Sequence, residues 1–432
     1  MAPNDVGQRA AAPPGVTAAT RSVAVVGAGM AGLAAARRCR DAGLDVTVFE
    51  AHDGFGMDIH ALDLHGGTVD VPLRVMSPQH WRAVLALADE VGVATFPVTT
   101  RVSCSNTRGR TWFRSGRVPV VEWSFVGSWR YLDARALRLA RGMSRLARSL
   151  HGLQAMAPDF TLDDYLARER PDPLFWRGLV LPLLTTICTC SEARLRAWPA
   201  AQLLSLLDDL LNHASLVRLE GGTRALVRGL SRGLSLCGGS RVTRVAEVPD
   251  GVEVRNARGD GGRFDHAIIA TQANQLEFLS GDELAAERDV LAGIPYDSGE
   301  LLVHEDPRLM PQRRRDWTAL NFQADDALES VAFTVHVNAV EPTLAAAPPV
   351  FQSWNPLVEP DAARVHARVP LQRAVVHAGT AGILERVARW HAQPRRRVWY
   401  CGSWAHEGVP LLETAVRSAE VVAGRISAAA VG

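Results

Sequence analysis

The sequence contains no lysine: all 47 of its Lys+Arg residues are arginine, in a chain of 432 residues. A chain without lysine cannot form a Schiff base, use a lysine as a general base or bind phosphate through the lysine of a phosphate-binding loop. The arginines are balanced by 46 acidic residues, which leaves a net charge of +1 and no excess of positive charge to attract nucleic acid. Lysine-dependent catalysis is therefore excluded, and we expect no nucleic-acid partner.

Cysteine is also scarce, with six residues, of which only Cys188 and Cys190 lie close together. Scattered cysteines argue against a disulfide-stapled secreted domain, and a single Cys-x-Cys is a poor zinc site, so we predict no metal site. The longest apolar stretch, 178–190, is broken by Pro182 and is too short to span a bilayer. Residues 1–20 lack the apolar core of a signal peptide, and we expect a disordered tail and a cytoplasmic protein.

The first motif follows this tail. Residues 22–27 have the sequence SVAVVG, a β-branched run typical of a buried parallel strand. The G-x-G-x-x-G motif of Gly27, Gly29 and Gly32 then opens a helix, and a second strand ends at Glu50. Such glycines allow a tight turn, the close approach of a pyrophosphate and close helix–strand packing, while the acid accepts hydrogen bonds from ribose hydroxyls. The unit predicts dinucleotide binding, and Glu50 argues against a 2′-phosphate on the ribose.

The rest of the chain alternates between two kinds of segment. Strand-like runs and the helices beside them continue the dinucleotide domain and cover 225–234, 241–248, 251–256, 264–271, 398–403 and 411–426. Between them lie a mainly helical stretch, 158–213, and two runs typical of antiparallel strands, 300–303 and 331–338. The predicted fold class is therefore α/β, with a Rossmann-like dinucleotide domain and an inserted α+β cap domain that covers the substrate.

This alternation sets the expected domain boundaries. The disordered tail covers 1–20. The dinucleotide domain is discontinuous and comprises 21–80, 214–275 and 396–428. The substrate or cap domain comprises 81–213 and 276–395.

One cap segment, residues 131–153, is predicted to be a basic amphipathic helix. Its apolar face is formed by Leu132, Ala136, Leu139, Met143, Leu146, Leu150 and Leu153. Arg135, Arg138, Arg145 and Arg148 lie elsewhere on the helix. Such a helix either contacts a membrane surface or forms the solvated outer face of the cap, and we favour the outer face.

Several sequence blocks carry a family resemblance. They are the N-terminal βαβ unit, Gly-Gly-Thr-Arg at 221–224, Phe-Asp-His-Ala-Ile-Ile-Ala-Thr at 264–271 and Gly-Ser-Trp at 402–404, with Leu309, Met310, Pro311, Trp317, Asn321, Asn355 and Pro356 in a narrower comparison. Over about residues 20–428 the chain resembles the flavin-containing amine oxidase and phytoene-desaturase superfamily, and within it the bacterial branch of predicted NAD/FAD-binding proteins. The resemblance implies FAD, with adenine at the βαβ unit and the isoalloxazine ring near the last strand–helix junction.

The resemblance also implies which residues contact FAD. The glycine motif would surround the pyrophosphate, Glu50 would bind the adenosine ribose, and Val242 would contact the adenine through its backbone. Gly402 and Ser403 would face the flavin ring. The full set implied for cofactor binding is Gly27, Gly29, Met30, Ala31, Gly32, Glu50, Ala51, Gly56, Met57, Arg74, Val242, Thr271, Gly402, Ser403, Leu411 and Leu412.

Arg74 has more than one interpretation. It follows Asp70 closely, so the two side chains are candidates for a structural ion pair. It is also placed to contact a flavin phosphate or to receive a substrate carboxylate in a bidentate manner, because a guanidinium is a planar fork of donors. The sequence leaves these alternatives open.

The chain departs from the family pattern in two ways. The family follows its acid with two adjacent glycines and a basic residue, whereas this chain has Gly56, Met57 and Asp58. Amine oxidases commonly use a lysine that holds a water against flavin N5, which is impossible here. No second G-x-G-x-x-G motif is present, so we expect no NAD(P)H domain and reoxidation by oxygen or by a transiently docked electron acceptor.

Proton transfer and substrate binding have weaker signals. His406 and Glu407 follow the strand expected beside the flavin, and they are the first catalytic candidates, with His336 as the third. Hydrogen bonding within the protein is the alternative for each. Aromatic and polar residues in apolar surroundings predict a substrate-binding set of Trp404, Trp354, Asn321, Asn338 and Tyr296, for which burial in the core or on a strand face is the alternative.

The sequence supports three functional hypotheses. The first is an FAD-dependent oxidoreductase that dehydrogenates, desaturates or isomerises a hydrophobic small molecule of specialised or lipid metabolism by hydride transfer to flavin N5. The second is a flavoprotein without net redox chemistry, such as a cyclase or isomerase. The third is a flavin-free carrier of lipids or prenyl groups on the same scaffold, which the altered 56–58 loop suggests.

Overall fold

The computed structural model describes residues 21–116, 126–212 and 215–431, so the tail predicted for 1–20 lies outside the described residues. The strands are β1 (Ser22–Val26), β2 (Asp45–Phe49), β3 (Leu62–Leu64), β4 (Gly67–Val69), β5 (Thr95–Val98), β6 (Val102–Asn106), β7 (Thr111–Arg114), β8 (Leu216–Leu219), β9 (Ser235–Cys237), β10 (Val242–Val248), β11 (Gly251–Asn256), β12 (Gly261–Phe264), β13 (His266–Ile269), β14 (Leu279–Ser280), β15 (Tyr296–His304), β16 (Leu320–Ala324), β17 (Val331–His336), β18 (Phe351–Trp354), β19 (Val365–Ala374) and β20 (Val398–Tyr400). The helices are α1 (Met30–Asp41), α2 (Arg82–Glu90), α3 (Ala134–Leu150), α4 (Leu162–Glu169), α5 (Pro173–Phe175), α6 (Leu181–Cys188), α7 (Glu192–Arg196), α8 (Ala200–Asn212), α9 (Gly222–Ser231), α10 (Asp282–Leu291), α11 (Thr380–His391) and α12 (Leu412–Val431).

A five-stranded parallel sheet, in the order β20–β13–β1–β2–β9, forms the centre of the dinucleotide domain. The central strand β1 is apolar on both faces because α1 and α12 cover one face and the sheet β12–β11–β10–β14 covers the other. Its strands come from three separate stretches of the chain, since β13 and β20 enter after long insertions. The predicted α/β class with a Rossmann-like sheet is confirmed.

A seven-stranded sheet, in the order β19–β15–β18–β17–β16–β6–β7, forms the base of the second domain. Its pairs are antiparallel except β16–β6, which is parallel. The predicted strand 300–303 falls within β15, and the predicted strand 331–338 overlaps β17, which ends at His336. Helices α3 to α8 pack on this sheet and share one apolar core with it, which includes Leu139, Phe175 and Phe333.

Next to three of the four predicted boundaries between the domains, a helix assigned to the cap packs on the dinucleotide domain. Helix α2 was expected in the cap, but it packs beside α12 in the core of the dinucleotide domain, where Leu87 is fully buried. Helices α10 and α11 also pack on the parallel sheet, through residues such as Leu284 and Val387. In the sequence, these helices lie next to the predicted domain boundaries. Each buries its apolar face by packing on the dinucleotide domain.

Helix α3 accounts for the basic amphipathic segment. Asp133 caps it by accepting hydrogen bonds from the backbone N–H groups of Arg135 and Ala136 at 2.8 and 3.3 Å. Leu139 and Leu146 of its apolar face are buried in the cap core, which supports the outer-face interpretation. Within the described ranges, the structure has no helix of the length and apolarity that crossing a bilayer requires.

Three histidines are buried and hold their neutral form. The backbone N–H of Tyr400 donates to His391 Nε2 at 3.0 Å, that of Asp306 donates to His304 Nδ1 at 3.1 Å, and the Trp399 indole donates to His266 Nδ1 at 3.3 Å. Burial lowers the pKa of His391 to about 3 and those of His304 and His266 to about 4. Each ring therefore serves as a hydrogen-bond acceptor that protonation would remove.

We predict that the protein loses stability as the pH falls below 6.5. The unfolded chain binds protons at these histidines near pH 6.5, whereas the folded protein resists protonation down to about pH 4. Between these two pH values, each histidine lowers the free energy of unfolding by about 1 kcal/mol for every unit by which the pH falls. Urea unfolding of His391→Gln should show a shallower loss between pH 6.5 and 4 than the native chain. The exposed His151→Gln should leave the slope unchanged, and equal slopes for all three proteins would contradict the assignment.

Candidate functional site

A cavity of ≈ 680 Å³ lies at the carboxyl ends of the parallel strands, where open α/β sheets bind ligands. Its walls come from the ends of β1, β2 and β13 and from the start of β10. The residues that form them include Gly27, Gly29, Glu50, Ala51, Gly56, Val242 and Thr271. The order of elements therefore brings together, from distant parts of the chain, residues that the resemblance implied for the adenosine and pyrophosphate ends of FAD.

The glycines of the motif have three different geometries. Gly27 has φ of +99°, and a Cβ there would lie 3.1 Å from the carbonyl oxygen of Ala270. A Cβ on Gly32 would lie 1.9 Å from the carbonyl oxygen of Gly27, so this glycine is needed for the close turn. Gly29 lines the cavity, and a Cβ there would have no protein atom within 4 Å. A side chain at Gly29 would thus enter only the space that a ligand would fill.

Glu50 is held by the backbone at the edge of this cavity. One carboxylate oxygen accepts from the N–H of Ala28 at 2.8 Å, and the other accepts from the N–H of His52 at 2.9 Å. A carboxylate has about four acceptor sites, so each oxygen keeps capacity for a further donor. The side chain is 7% exposed and is therefore both fixed and able to bind ribose hydroxyls.

The acidic loop that departs from the family pattern is neutralised within the protein. Arg224, at the start of α9, donates through Nε to Asp58 at 2.9 Å and through Nη1 to Asp63 at 2.8 Å. Gly56 turns the loop with φ of +63°. Asp58 is thus paired with an arginine of the Gly-Gly-Thr-Arg block and does not bring an unpaired negative charge to the dinucleotide cavity. This pairing removes the reason for expecting a flavin-free carrier.

A buried ion cluster connects the two domains. Arg218, 1% exposed, donates to Asp70 at 3.1 Å and to Glu341 at 2.7 Å. The other Asp70 oxygen accepts from the backbone N–H of Thr223 at 2.9 Å and from its hydroxyl at 2.7 Å. Buried charges need such complete pairing because each has lost its water. The structural ion pair that was one option for Arg74 is therefore taken by Arg218.

Gln352 extends this connection into the cap sheet. Its amide nitrogen donates to the backbone carbonyl of Asp70 at 2.6 Å, and its amide oxygen accepts from the N–H of Leu73 at 2.8 Å. Gln352 lies on β18, in the middle of the seven-stranded sheet. The loop that follows β4 is therefore attached to the dinucleotide domain on one side and to the cap on the other.

A second cavity, of ≈ 190 Å³, lies beside this loop, between the cap sheet and helix α6. Its walls are mostly apolar and include Leu183, Ile187, Leu301, Phe333, Val335, Trp354, Leu371, Leu411 and Leu412. The polar side chains among the described wall residues are Arg74, Thr100, Thr186, Thr189, Gln352 and Arg373. Those walls hold no aspartate, glutamate, histidine or tyrosine, so they offer no ordinary general acid or base.

The residues predicted for cofactor binding are divided between the dinucleotide cavity, the apolar cavity and positions outside both. Seven line the dinucleotide cavity, as given above. Arg74, Leu411 and Leu412 line the apolar cavity instead. Met30, Ala31 and Gly32 lie at the start of α1. Met57 packs against the core of the dinucleotide domain. The backbone groups of Gly402 and Ser403 form hydrogen bonds with the hydroxyls of Ser418 and Thr414 of α12. Their contacts with FAD stay predictions.

Two of the three catalytic candidates and Trp404 line a different cavity. His406 and Glu407 lie with Trp404 around a space of ≈ 420 Å³ between the end of β20 and α11. Trp404 is buried and donates from its indole to the carbonyl of Thr271 at 3.0 Å. Trp354, in contrast, lines the apolar cavity. The structure therefore places His406 and Glu407 beside Trp404 of the predicted substrate set and apart from Trp354.

Four other predicted residues have partners within the protein and line none of the three cavities. His336 packs against Trp317 and Phe351, and burial lowers its pKa to about 4. The Tyr296 hydroxyl accepts from the N–H of Ala273 at 2.7 Å. The remaining two make amide contacts with main chain or neighbouring side chains: Asn321 with Ser103, Thr318 and Thr334, and Asn338 with Leu344, Ala347, Pro348 and Val350. These contacts match the structural alternatives, and a substrate role for these residues stays a prediction.

Sequence reasoning missed several charged residues. Arg373 and Arg218 carry no local motif, and only the pairing of β19 with β15 and of β8 with β5 brings them to their positions. Glu305 accepts hydrogen bonds from His65 and His366 at 2.5 and 3.0 Å, a half-exposed cluster that connects the β3–β4 turn to the cap sheet. The ligand-type atoms of these three residues lie within 4.8 Å of one another, although the sequence analysis predicts no metal site. The cluster could not be recognised from a motif, because its three residues are far apart in the chain.

Comparison with known proteins gives a consistent family. The model for flavin containing amine oxidoreductases matches residues 30–296. AofH of Mycobacterium tuberculosis, named as a flavin-containing monoamine oxidase, is 31% identical over 281 residues, which are 60% of this chain and 59% of AofH. The chain thus aligns with about three fifths of the length of this relative.

Solved structures resemble the whole chain. Cyclohexylamine oxidase from Brevibacterium oxydans has a TM-score of 0.69 and 14% identity, and the match covers 96% of this chain and all of that one. A CLA-producing fatty acid isomerase from P. acnes has a TM-score of 0.65 and 17% identity over 93% of this chain and 98% of that one. At these identities the likeness shows the fold, and the fold alone does not select the reaction.

We predict that removing the cation of the buried ion cluster strongly destabilises the protein. Arg218→Met leaves two buried carboxylates without their cation and should lower the free energy of unfolding by about 3–5 kcal/mol. The matched control is Arg368→Met, because Arg368 pairs with Glu300 and Glu359 at the surface. Urea unfolding should show a much smaller loss for the control, because exposed ion pairs contribute little. Similar losses for both variants would contradict the role of burial.

Proposed function

The chain belongs to the family of flavin-containing amine oxidoreductases, and from this membership we propose that it is an FAD-dependent oxidoreductase acting on a hydrophobic small molecule. The family matches the resemblance seen in the sequence, which is thereby confirmed. The single observation that carries the substrate class is the apolar cavity, whose described walls hold hydrocarbon side chains with few polar groups. Dehydrogenation, desaturation and double-bond isomerisation are the reactions in question.

The residues of the dinucleotide cavity fit FAD, the cofactor of the family. Gly29 leaves open the space that a pyrophosphate needs, and the start of α1 directs unpaired N–H groups towards it. Glu50 has free acceptor capacity for ribose hydroxyls. Since Asp58 is paired with Arg224, its charge does not oppose the phosphates. We infer that Gly27, Gly29, Glu50 and Val242 hold the adenosine diphosphate part.

The chain's own part in the chemistry is to bind, orient and exclude water. When bound, FAD supplies a hydride acceptor at its N5 atom. The apolar walls exclude water from the substrate, and Gln352 and the two arginines give it polar contacts at fixed positions. Because the described walls offer no carboxylate, imidazole or lysine, any proton released from the substrate has to pass to water or to a group outside these walls.

A cationic amine fits this cavity poorly. Arg74 and Arg373 both line it, and no described wall residue is acidic. An ammonium group would meet two like charges in a medium of low dielectric, which is strongly unfavourable. The absence of lysine from the chain also removes the residue that amine oxidases commonly use at flavin N5. We therefore propose chemistry at carbon centres for this member of the family.

A reaction without net redox change is the second candidate. No second dinucleotide motif is present in the sequence to supply a nicotinamide reductant. A cyclisation or isomerisation needs neither reductant nor acceptor, whereas net oxidation needs oxygen or a docked acceptor. A product of the same mass as the substrate, formed without oxygen consumption, identifies the second candidate. A product lighter by one hydrogen molecule identifies net oxidation.

We predict that amines do not reduce the flavin of the purified holoprotein. Putrescine and cyclohexylamine should leave the visible flavin band unchanged under anaerobic conditions, because the cavity repels cations. Dithionite serves as the control that the flavin can be reduced. Rapid bleaching by either amine would contradict the proposed substrate class.

We also predict that a side chain at Gly29 blocks FAD without disturbing the fold. The backbone of Gly29 has φ of −66° and ψ of −177°, which valine adopts readily, and a Cβ there meets no protein atom within 4 Å. Gly29→Val should therefore keep its unfolding midpoint as apoprotein but lose the visible flavin spectrum. Gly424→Val is the matched control, since Gly424 is exposed on α12 with equally open space. Normal flavin content in Gly29→Val would contradict the assignment of this cavity.

A further inference from the structure

We propose that the apolar cavity selects an amphiphilic carboxylate, whose headgroup binds between Arg74 and Arg373 while its hydrocarbon part lies along the apolar walls. The inference rests on the proposed function, because it assigns a substrate class to the same cavity. It also goes beyond that function, since neither the fold nor the family requires an acid group on the substrate.

The two arginines reach the cavity from different domains. Arg74 lies in the loop after β4, and its guanidinium donates to the backbone carbonyl of Pro72 at 3.0 Å. Arg373 lies on β19 of the cap sheet and donates through Nε to the hydroxyl of Thr189 at 2.8 Å. Neither makes an ion pair with any carboxylate in the described part of the chain. Each therefore keeps N–H donors that face the cavity without an acceptor charge.

Other buried arginines of the same protein are fully paired. Arg218 has the carboxylates of Asp70 and Glu341. Arg396, on the far side of the parallel sheet, binds both oxygens of Glu287 at 2.6 and 2.7 Å. Both of these arginines, which are the least exposed ones in the described part of the chain, therefore have carboxylates of the chain as partners. Arg74 and Arg373 differ because their missing anion would have to come from a ligand.

The charges of the two arginines also favour an anionic ligand. Burial lowers the pKa of Arg74 to about 10, Asp70 counteracts this effect, and the nearby charge of Arg373 lowers the pKa further. Burial also lowers the pKa of Arg373. Asp70 is already bound to Arg218 and Thr223, so it cannot neutralise the pair. Two guanidinium groups remain charged at neutral pH and repel each other, and an anion between them would relieve both the repulsion and the loss of hydration.

A carboxylate suits this arrangement best. The planar guanidinium matches the two oxygens of a carboxylate, and the Thr189 hydroxyl, which accepts from Arg373, lies in the same wall. The apolar walls, among them Leu183, Ile187, Phe333 and Leu371, offer hydrocarbon contacts. The ligand therefore needs one charged end and one apolar end. A cavity of ≈ 190 Å³ is below the ~300–1,000 Å³ of drug-sized pockets, so a medium-length chain is the appropriate probe.

The test uses the FAD-loaded protein and four probes with the same chain: decanoate, decanol, decylamine and decyl phosphate. Binding is measured by isothermal titration and by the change in the visible flavin spectrum. We expect decanoate to bind at least about tenfold more tightly than decanol, because charge-assisted hydrogen bonds form only with the acid, and decylamine to bind least. Equal affinity for decanoate and decanol would overturn the proposal. Preference for decyl phosphate over decanoate by tenfold or more would overturn the carboxylate assignment.

Variants locate the headgroup. Arg74→Gln and Arg373→Gln should each weaken decanoate binding by about tenfold to a hundredfold and leave decanol binding unchanged. Arg368→Gln is the matched control on β19, because Arg368 is exposed and pairs with surface carboxylates. Arg373→Lys keeps the charge and should retain part of the preference, which separates charge from folding defects. Unchanged decanoate affinity in both glutamine variants would overturn the proposal.

The inference and the proposed function can fail separately. Titration with decanoate measures binding to the cavity, and this measurement does not depend on hydrogen transfer to the flavin. A protein that binds decanoate through both arginines but whose flavin takes part in no reaction would contradict the proposed function only. A protein that oxidises or isomerises a neutral hydrocarbon, and binds decanoate no better than decanol, would contradict the inference only.

Discussion

The buried ion cluster of Asp70, Arg218 and Glu341 is the constraint on which the positions of both cavities depend. Its three charges have lost their water, so they are stable only when every partner is in place. Asp70 also accepts from Thr223 at the start of α9, and its backbone carbonyl accepts from Gln352 in the cap sheet. A movement of either domain would break several of these bonds at once. The cluster therefore fixes the loop that carries Arg74 relative to the parallel sheet and to the cap.

The chain uses arginine for every cationic task that other proteins share between arginine and lysine, and the structure separates these tasks by their partners. Arg218 and Arg224 are bound by two carboxylates each and serve to join segments. Arg74 and Arg373 face an apolar cavity with only a carbonyl and a hydroxyl as partners. Because a guanidinium stays charged even when burial lowers its pKa, the second pair imposes a charge requirement on whatever occupies the cavity.

Local patterns predicted the dinucleotide half of the molecule well. The β-branched run before Gly27, the glycine spacing and the acid at position 50 act within one βαβ unit, and short-range sterics and hydrogen bonds decide their structure. The substrate half could not be predicted in this way. Arg373 reaches the cavity through the register of β19 against β15, which no local pattern encodes. Nearness in sequence agrees with His406 and Trp404 lining one cavity, but it does not show that Trp354 lines another.

The apolar cavity combines a strong charge requirement with an absence of acid–base groups, and the two properties belong together. A carboxylate, imidazole or lysine beside Arg74 and Arg373 would either neutralise the pair or have its own pKa shifted by it. Walls without such groups leave the pair free to orient a substrate by its charge, at a distance from the carbon atoms that react. In the function that we propose, binding of the charged end would position the apolar chain, and the bound flavin would supply the chemistry at carbon. Selection by charge and hydride transfer would then be separate tasks of one cavity, and a fold shared with amine oxidases would serve a substrate of the opposite charge.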